Sequence, residues 1–338
     1  MRAVVCHAYG DYHDMRVEEI PSPAMGSTDV HIRISAAGVS FANILAIAGR
    51  HQNRATPPFI PGTEVSGTVI ACGGEVDNIK VGDRVIASIE NGGFAEEIVA
   101  PARNVFVIPD ELSYAEAVTF STIYASAFIG LAYRAHLQPG EQLLVYGAGG
   151  ASGLAAIEIG KALGAQVIAI AGSEEKLQAA KDAGAHHVIN YNTLNFRDRV
   201  LELTNARGAD VIFDPVGGNF ADQSLRCVAP EGRIVLFGFA SGQIPQLPAN
   251  LLLVKNVTAI GVYWGYYMGW SKHKPHSETR TRVQRTFNTL FLFYTKGLIR
   301  SRVHGTFPLE KFGSALDIVQ QRKAVGKVVL TPTEPGFQ

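Results

Sequence analysis

From about residue 140 to 262 the chain alternates short β-branched runs with helical stretches. The strand candidates are Gln142 to Tyr146, Gln166 to Ala171, His187 to Asn190, Asp210 to Asp214, Gly232 to Phe237 and Val257 to Val262. Between them Leu154 to Leu163, Glu174 to Ala183, Phe196 to Thr204 and Asn219 to Val228 carry helical periodicity, and Gly164 and Gly184 stand where helices end. Strict alternation of this kind confines the chain to a parallel, doubly wound sheet with right-handed crossovers. The fold class is therefore α/β.

The first strand of the series runs into Gly147-Ala-Gly-Gly150-Ala-Ser-Gly153, which opens a helix. In that context the glycines have separate tasks. Gly147 turns the chain off the strand, Gly150 lets the backbone approach a pyrophosphate, and Gly153 lets the helix lie close to the sheet. Gly149, Ala151 and Ser152 complete the turn, whose amides and helix dipole suit phosphates. The competing reading is a tight strand-to-helix turn that binds nothing.

An acidic residue about 20 positions further on marks a preference for NAD. Counting 19 from Gly153 reaches Gly172, followed by Ser173, with Lys176 one helical turn beyond. A hydroxyl and an ammonium suit a 2′-phosphate, so the expected cofactor is NADPH. Glu174 and Glu175 would oppose it only if they pointed inward; a helix's first turn also favours acids for its own sake.

The first 120 residues read differently. Short alternating runs, Val30 to Ser35, Val65 to Ala71 and Phe94 to Ala100, are separated by Pro61-Gly62, Gly73-Gly74, Gly82-Asp83 and Gly92-Gly93. This is the pattern of an antiparallel, partly open barrel. After Val262 come the aromatics Tyr263, Trp264, Tyr266, Tyr267 and Trp270, a helix ending near Gly297, a last helix from about Leu309 to Arg322, and a closing strand, Lys327 to Leu330.

Thirty Lys and Arg balance thirty Asp and Glu. A nucleic-acid partner is therefore not expected. The three cysteines are too few for a disulfide framework or a four-cysteine zinc site. The N-terminus has no apolar signal core, and the longest apolar candidate is interrupted by Glu158 and Lys161, so the expectation is a cytoplasmic chain without membrane insertion.

Several motifs in order resemble the medium-chain dehydrogenase/reductase superfamily. They are Ala36-Ala-Gly-Val39 to Gly49, Pro61-Gly-Thr-Glu64-Val-Ser-Gly67, Val81-Gly-Asp-Arg-Val85, Gly92-Gly-Phe-Ala-Glu96, the glycine turn, and Asp214-Pro-Val-Gly217. They look most like the zinc-less quinone oxidoreductases related to zeta-crystallin. The resemblance implies a GroES-like catalytic domain (residues 1–120 and 263–338) split around a Rossmann NADPH-binding domain (121–262). It also implies a homodimer paired through the last Rossmann strands, Val257 to Val262 included. Where zinc enzymes of the superfamily carry a cysteine and a histidine, this chain has Ser40 and Thr63, which are poor zinc ligands.

The same resemblance carries site residues. Asn43, Ser126, Tyr191, Val216, Phe237, Gly238, Phe239 and Lys327 match positions near the cofactor, with plain core packing the competing reading for Val216, Phe237 and Phe239 and strand flanking for Lys327. Ser40, Asn43, His51, Tyr124 and Tyr263 are expected around the acceptor, with His51 and Tyr263 the catalytic candidates. Relatives often carry asparagine at position 40 and aspartate at 43, and this chain departs at both. Related enoyl reductases place a tyrosine where His51 stands, which makes His51 the candidate general acid; the competing reading is a surface loop histidine.

The expected function is a zinc-independent NADPH-dependent reductase delivering hydride to a quinone or an α,β-unsaturated carbonyl. Two alternatives stay open. An enoyl-thioester reductase would need a basic rim, for which Arg50, Arg54 and Lys272 to Lys274 are candidates. A noncatalytic NADPH-binding sensor or structural protein would need only the cofactor fold.

Overall fold

The computed structural model describes residues 1–332 of the chain, except the side chains of Ala221 and Asp222; the last six residues of the expected barrel domain, 333–338, lie outside the described residues. The strands are β1 (Arg2–Val5), β2 (Arg16–Glu19), β3 (Asp29–Val39), β4 (Glu64–Cys72), β5 (Arg84–Ser88), β6 (Glu97–Pro101), β7 (Val105–Val107), β8 (Gln142–Val145), β9 (Gln166–Ala171), β10 (His187–Asn190), β11 (Ala209–Asp214), β12 (Val228–Leu236), β13 (Thr258–Gly261), β14 (Val303–Pro308) and β15 (Lys327–Thr331). The helices are α1 (Phe41–Ile47), α2 (Tyr114–Thr119), α3 (Ala125–Phe128), α4 (Ala151–Ala162), α5 (Glu174–Asp182), α6 (Phe196–Leu203), α7 (Phe220–Cys227), α8 (Ala249–Lys255), α9 (Trp264–Met268), α10 (Thr279–Thr295) and α11 (Phe312–Gln320).

The chain divides into two compact units. One holds Met1–Thr122, Gly265–Phe287 and the chain from Ser301 onward; the other holds Ile123–Trp264 and Asn288–Arg300. Residues 288–300, expected with the barrel, cluster with the second unit instead. There Phe293 meets Phe128 edge-on at 6.3 Å, and the Arg300 amide donates to Glu158 at 2.9 Å.

In the first unit a seven-stranded sheet runs β14-β15-β3-β4-β5-β7, with β6 paired to β3. Every pairing is antiparallel except β14 with β15. Its alternating strands turn Ile32, Ile34, Val65, Val85, Val328 and Leu330 onto one core, closed by Leu316 of α11.

In the second unit six parallel strands run β10-β9-β8-β11-β12-β13. Numbered within the sheet, this is the 3-2-1-4-5-6 order, and the chain reverses direction across the sheet between β8 and β11. Leu144, Ile168, Ile170, Ile212 and Ile234 are fully buried, as strands covered by helices on both faces require. β12 starts at Val228, four residues before the sequence expectation, because a register shift opposite Ala209 and Val211 absorbs the Pro230–Gly232 stretch.

The helical run Tyr114–Arg134 was passed over in the sequence. It spans 21 residues, and its most apolar 18-residue stretch has mean hydropathy 1.3, enough by length and composition to cross a membrane, but 78% of that stretch is buried within the protein. It is a core helix, which corrects the expectation that no such run exists.

Candidate functional site

The turn after β8 has the geometry its glycines foretell. Gly147 adopts φ +61°, and a Cβ there would lie 3.3 Å from Val216 and 3.5 Å from Pro215, just past the end of β11. This is the switch point of the sheet, where such folds take ligands. A Cβ on Gly153 would lie 2.3 Å from the Gly147 carbonyl oxygen and 2.7 Å from Ala148 Cα, so only glycine lets α4 start this close to the turn. Gly150 is the N-cap of α4 with no side-chain cap, and a Cβ on it would meet only the Gly147 oxygen, at 3.4 Å. The first amides of α4, Ala151 and Ser152 among them, have no intrahelical acceptor and suit an anion.

Gly149 brings in the residue after the second strand. A Cβ there would sit 2.4 Å from Lys176 Cγ, so the stem of Lys176 lies against the turn. Ser173 is the N-cap of α5 and its hydroxyl accepts the Lys176 amide at 3.4 Å. Tyr191, after β10, reaches over Gly172: a Cβ on that glycine would lie 2.5 Å from the Tyr191 hydroxyl. Glu174 accepts a hydrogen bond from Asn190 at 3.0 Å. Gly149, Gly172, Ser173, Lys176 and Tyr191 thus form one constellation beside the glycine turn.

On the other side of the switch point, Asp214 Oδ1 accepts the amides of Val216 at 2.8 Å and Gly217 at 2.9 Å, shaping the loop after β11. Asp214 is buried, and burial lifts its carboxyl above the usual range despite these two bonds. Phe237 packs on Phe213 at 4.6 Å, Gly238 runs beside Pro215, and Phe239 covers Gly217 and is 37% exposed. Ser126, on α3, is buried and its hydroxyl donates to the Ile123 carbonyl at 3.2 Å. Tyr263 is half-buried two residues past β13.

Two expected contacts land elsewhere. Tyr124, expected beside the acceptor, is 2% exposed and its hydroxyl donates to Glu158 Oε2 at 2.6 Å. Lys327 does not offer its ammonium to a phosphate, because it is buried against the Glu64 carboxylate at 2.8 Å. Sequence reading missed Glu158, whose burial pushes its carboxyl up to about 7 against hydrogen bonds from Tyr124 and the Arg300 amide. A lone acid among apolar helix residues was the only available signal.

In the first unit the expected acceptor residues lie on one stretch. Ser40 caps α1, and Asn43 Oδ1 accepts both the Ser40 amide at 2.7 Å and its hydroxyl at 2.9 Å. The asparagine therefore serves the helix start, as an N3 side chain does in a capping box. His51 engages Asn53 through Nδ1, 3.2 Å from its amide and 3.1 Å from its carbonyl oxygen, which leaves Nε2 for another partner. Among the described residues no group of three or more His, Cys, Asp or Glu is placed to hold a metal ion, and Ser40 and Thr63 do not fit zinc.

Comparison with known proteins agrees with this construction. Residues 26–110 match the alcohol dehydrogenase GroES-like domain, and residues 151–277 the zinc-binding dehydrogenase model. A quinone oxidoreductase-like protein 2 homolog from Nematostella vectensis is 40% identical over 333 residues, covering 97% of this chain and 88% of that protein. Among solved structures, Escherichia coli quinone oxidoreductase complexed with NADPH superposes with a TM-score of 0.89 at 26% identity, covering 98% of this chain and 100% of the other. A structure described as an NAD-dependent alcohol dehydrogenase superposes at 0.88 with 27% identity, covering 98% and 100%, so backbone likeness does not choose the cofactor. With its GroES-like and dinucleotide-binding parts both matched and a relative aligned along nearly its whole length, the chain belongs to the quinone oxidoreductase-like branch of the medium-chain dehydrogenase/reductase superfamily.

Proposed function

We propose that the protein is a zinc-independent, NADPH-dependent reductase acting on a quinone or an α,β-unsaturated carbonyl. The observation that carries the cofactor choice is the packing of Lys176 on Gly149 beside the Ser173 hydroxyl, at a strand end without a carboxylate. The cradle fits the cofactor: the open space over Gly150 suits the pyrophosphate, and Ser173, Lys176 and Tyr191 suit the 2′-phosphate. Bound there, NADPH supplies a hydride to an electrophilic acceptor. Residues near Val216, Phe237 and Phe239 would flank it.

An already electrophilic acceptor needs no Lewis acid, in keeping with Ser40 and Thr63 at the zinc-ligand positions. The acceptor's remaining proton comes from solvent or from His51 Nε2, whose ring is oriented by Asn53. The homodimer we propose pairs β13, an edge strand whose Thr258, Ala259 and Gly261 are exposed beside exposed Leu253 and Val254 of α8.

One contact favours an enoyl thioester as the acceptor. Asn53 Nδ2 donates to the Trp270 carbonyl at 3.3 Å, which joins the loop bearing Arg50 and Arg54 to the segment bearing Lys272 and Lys274. The basic residues on these two segments suit the phosphates of a coenzyme carrier. NADPH oxidation measured against quinones, enones and enoyl thioesters decides between them. Turnover of none of the three classes, with NADPH still binding, would leave the noncatalytic reading.

A further inference from the structure

The second unit contains a cavity of about 450 Å³ on the flank formed by α6 and α7, bordered by Tyr191, Phe196, Phe220, Arg197, Gln223 and Arg226. Its size lies within the range of small-molecule sites. Of the residues expected around the cofactor, only Tyr191 lines it; the glycine turn, Ser173, Lys176 and Val216 do not.

The walls are chemically divided. Phe220 stacks on Phe196 at 5.6 Å with an interplanar angle of 22°, and Tyr191 meets Phe220 edge-on at 5.6 Å, which makes an aromatic side. The opposite chemistry is cationic. Arg197 Nε is buried and makes no hydrogen bond among the described residues, and a second guanidinium, Arg226, shares the wall. A buried polar donor of this kind in a folded protein is ordinarily matched by a partner. The acids near Arg197 on its own helix do not supply one: Glu202 pairs with Arg199, and Asp198 is exposed.

Another cation lies within electrostatic reach of Arg197. Lys255 donates to the Val228 carbonyl at 3.1 Å, and its ammonium is held below the usual range by burial and by the charge of Arg197. The same two cations oppose the burial that raises the Cys227 thiol to about 11. Arg197 thus lies within the field of a second cation. An anion at its Nε would supply the missing partner, and a guanidinium recognises phosphate in a fixed, directional geometry.

We infer that this cavity is a second ligand site, separate from the cofactor cradle, for a phosphate-bearing aromatic heterocycle of mononucleotide size. The ring would lie on the Tyr191–Phe220 side and the phosphate on Arg197 and Arg226. Gln223 offers an amide to the ring edge. Because Tyr191 also covers Gly172, occupancy has a direct route to the cofactor's adenosine end. The inference needs only the fold of this unit and stands apart from the reductase reading.

The test is calorimetric titration of the full chain with AMP, in the presence of saturating NADPH and in its absence, with adenosine as the phosphate-free control. The expected result is one AMP per chain with NADPH bound, adenosine at least tenfold weaker, and at least tenfold loss of AMP affinity in Arg197→Gln and separately in Arg226→Gln, with NADPH affinity unchanged. Arg197→Lys, which keeps the charge, should retain part of the affinity, and thermal melting establishes that each variant folds. No AMP binding to the NADPH-saturated protein would overturn the inference, as would AMP that only competes with NADPH. Unaltered AMP affinity in whichever of the Gln variants folds would overturn it too. Failure of NADPH itself to bind would count against the proposed function, since AMP binding is read independently.

Discussion

Lys327 Nζ lies 2.8 and 2.9 Å from the two carboxylate oxygens of Glu64, and both side chains are almost wholly buried. The pair spans β15 and β4 across Gly38 of β3, where a Cβ would stand 2.7 Å from Lys327 Cε and 2.8 Å from Glu64 Oε2. Removing one partner strands a charge in the core. Lys327→Met should cost about 3–5 kcal/mol, whereas Lys327→Met combined with Glu64→Leu should recover most of the loss. Denaturant midpoints of the single and double variants check this; additive losses would refute it.

The pair Gly150 and Gly153 separates cofactor binding from folding. Gly150 has φ −81° and space for a Cβ, so Gly150→Ala should leave the melting temperature within about 2 °C while lowering NADPH affinity at least tenfold. Gly153→Ala drives a Cβ into backbone and should lower both, with a stability loss of roughly 1–3 kcal/mol. Thermal melts and NADPH titrations on the two variants would expose the opposite pattern.

Glu158 gives the protein a pH signature. Its folded-state carboxyl, pushed up to about 7 by burial, binds a proton that an unfolded chain releases near the ordinary value of 4.5. Between those two values the folded state holds more protons, so this group's contribution to stability is complete below 4.5, falls as pH rises, and levels off above about 7. The fall amounts to roughly 3 kcal/mol. Glu158→Gln can still accept from Tyr124 and the Arg300 amide. The stability difference between wild type and this variant, followed from pH 4 to 8, should therefore move steadily in favour of the variant; a flat difference would remove Glu158 as the cause.

Cofactor choice should follow Ser173 and Lys176. Ser173→Asp with Lys176→Ala is expected to reduce the NADPH to NADH affinity ratio at least a hundredfold, chiefly by weakening NADPH. Unchanged relative affinities in fluorescence titrations would refute the assignment.

Much of the second unit was legible because its signals are local. β9 and β10 fall on the expected residues, and the glycine turn reads directly, since Gly147 needs a positive φ and Gly153 a missing Cβ. What sequence could not give was side-chain direction. Tyr124 and Lys327 occupy expected positions in the chain, yet one turns to Glu158 and the other to Glu64, partners 34 and 263 residues away. The buried run Tyr114–Arg134 was hidden for a related reason: Ser121, Thr122 and Gly130 break its apolar look, while its burial comes from tertiary packing. The flank cavity depends on α6 and α7 meeting, which no local motif announces.

We propose that the turn at Gly147–Gly153, with Ser173 and Lys176, serves an NADPH-dependent hydride transfer that needs no metal. The most direct measurement is kcat/KM for NADPH and for NADH with one quinone acceptor, each with and without a strong zinc chelator. We predict a preference for NADPH of at least tenfold and no effect of the chelator. A preference for NADH, or activity abolished by chelation and restored by zinc, would contradict the account.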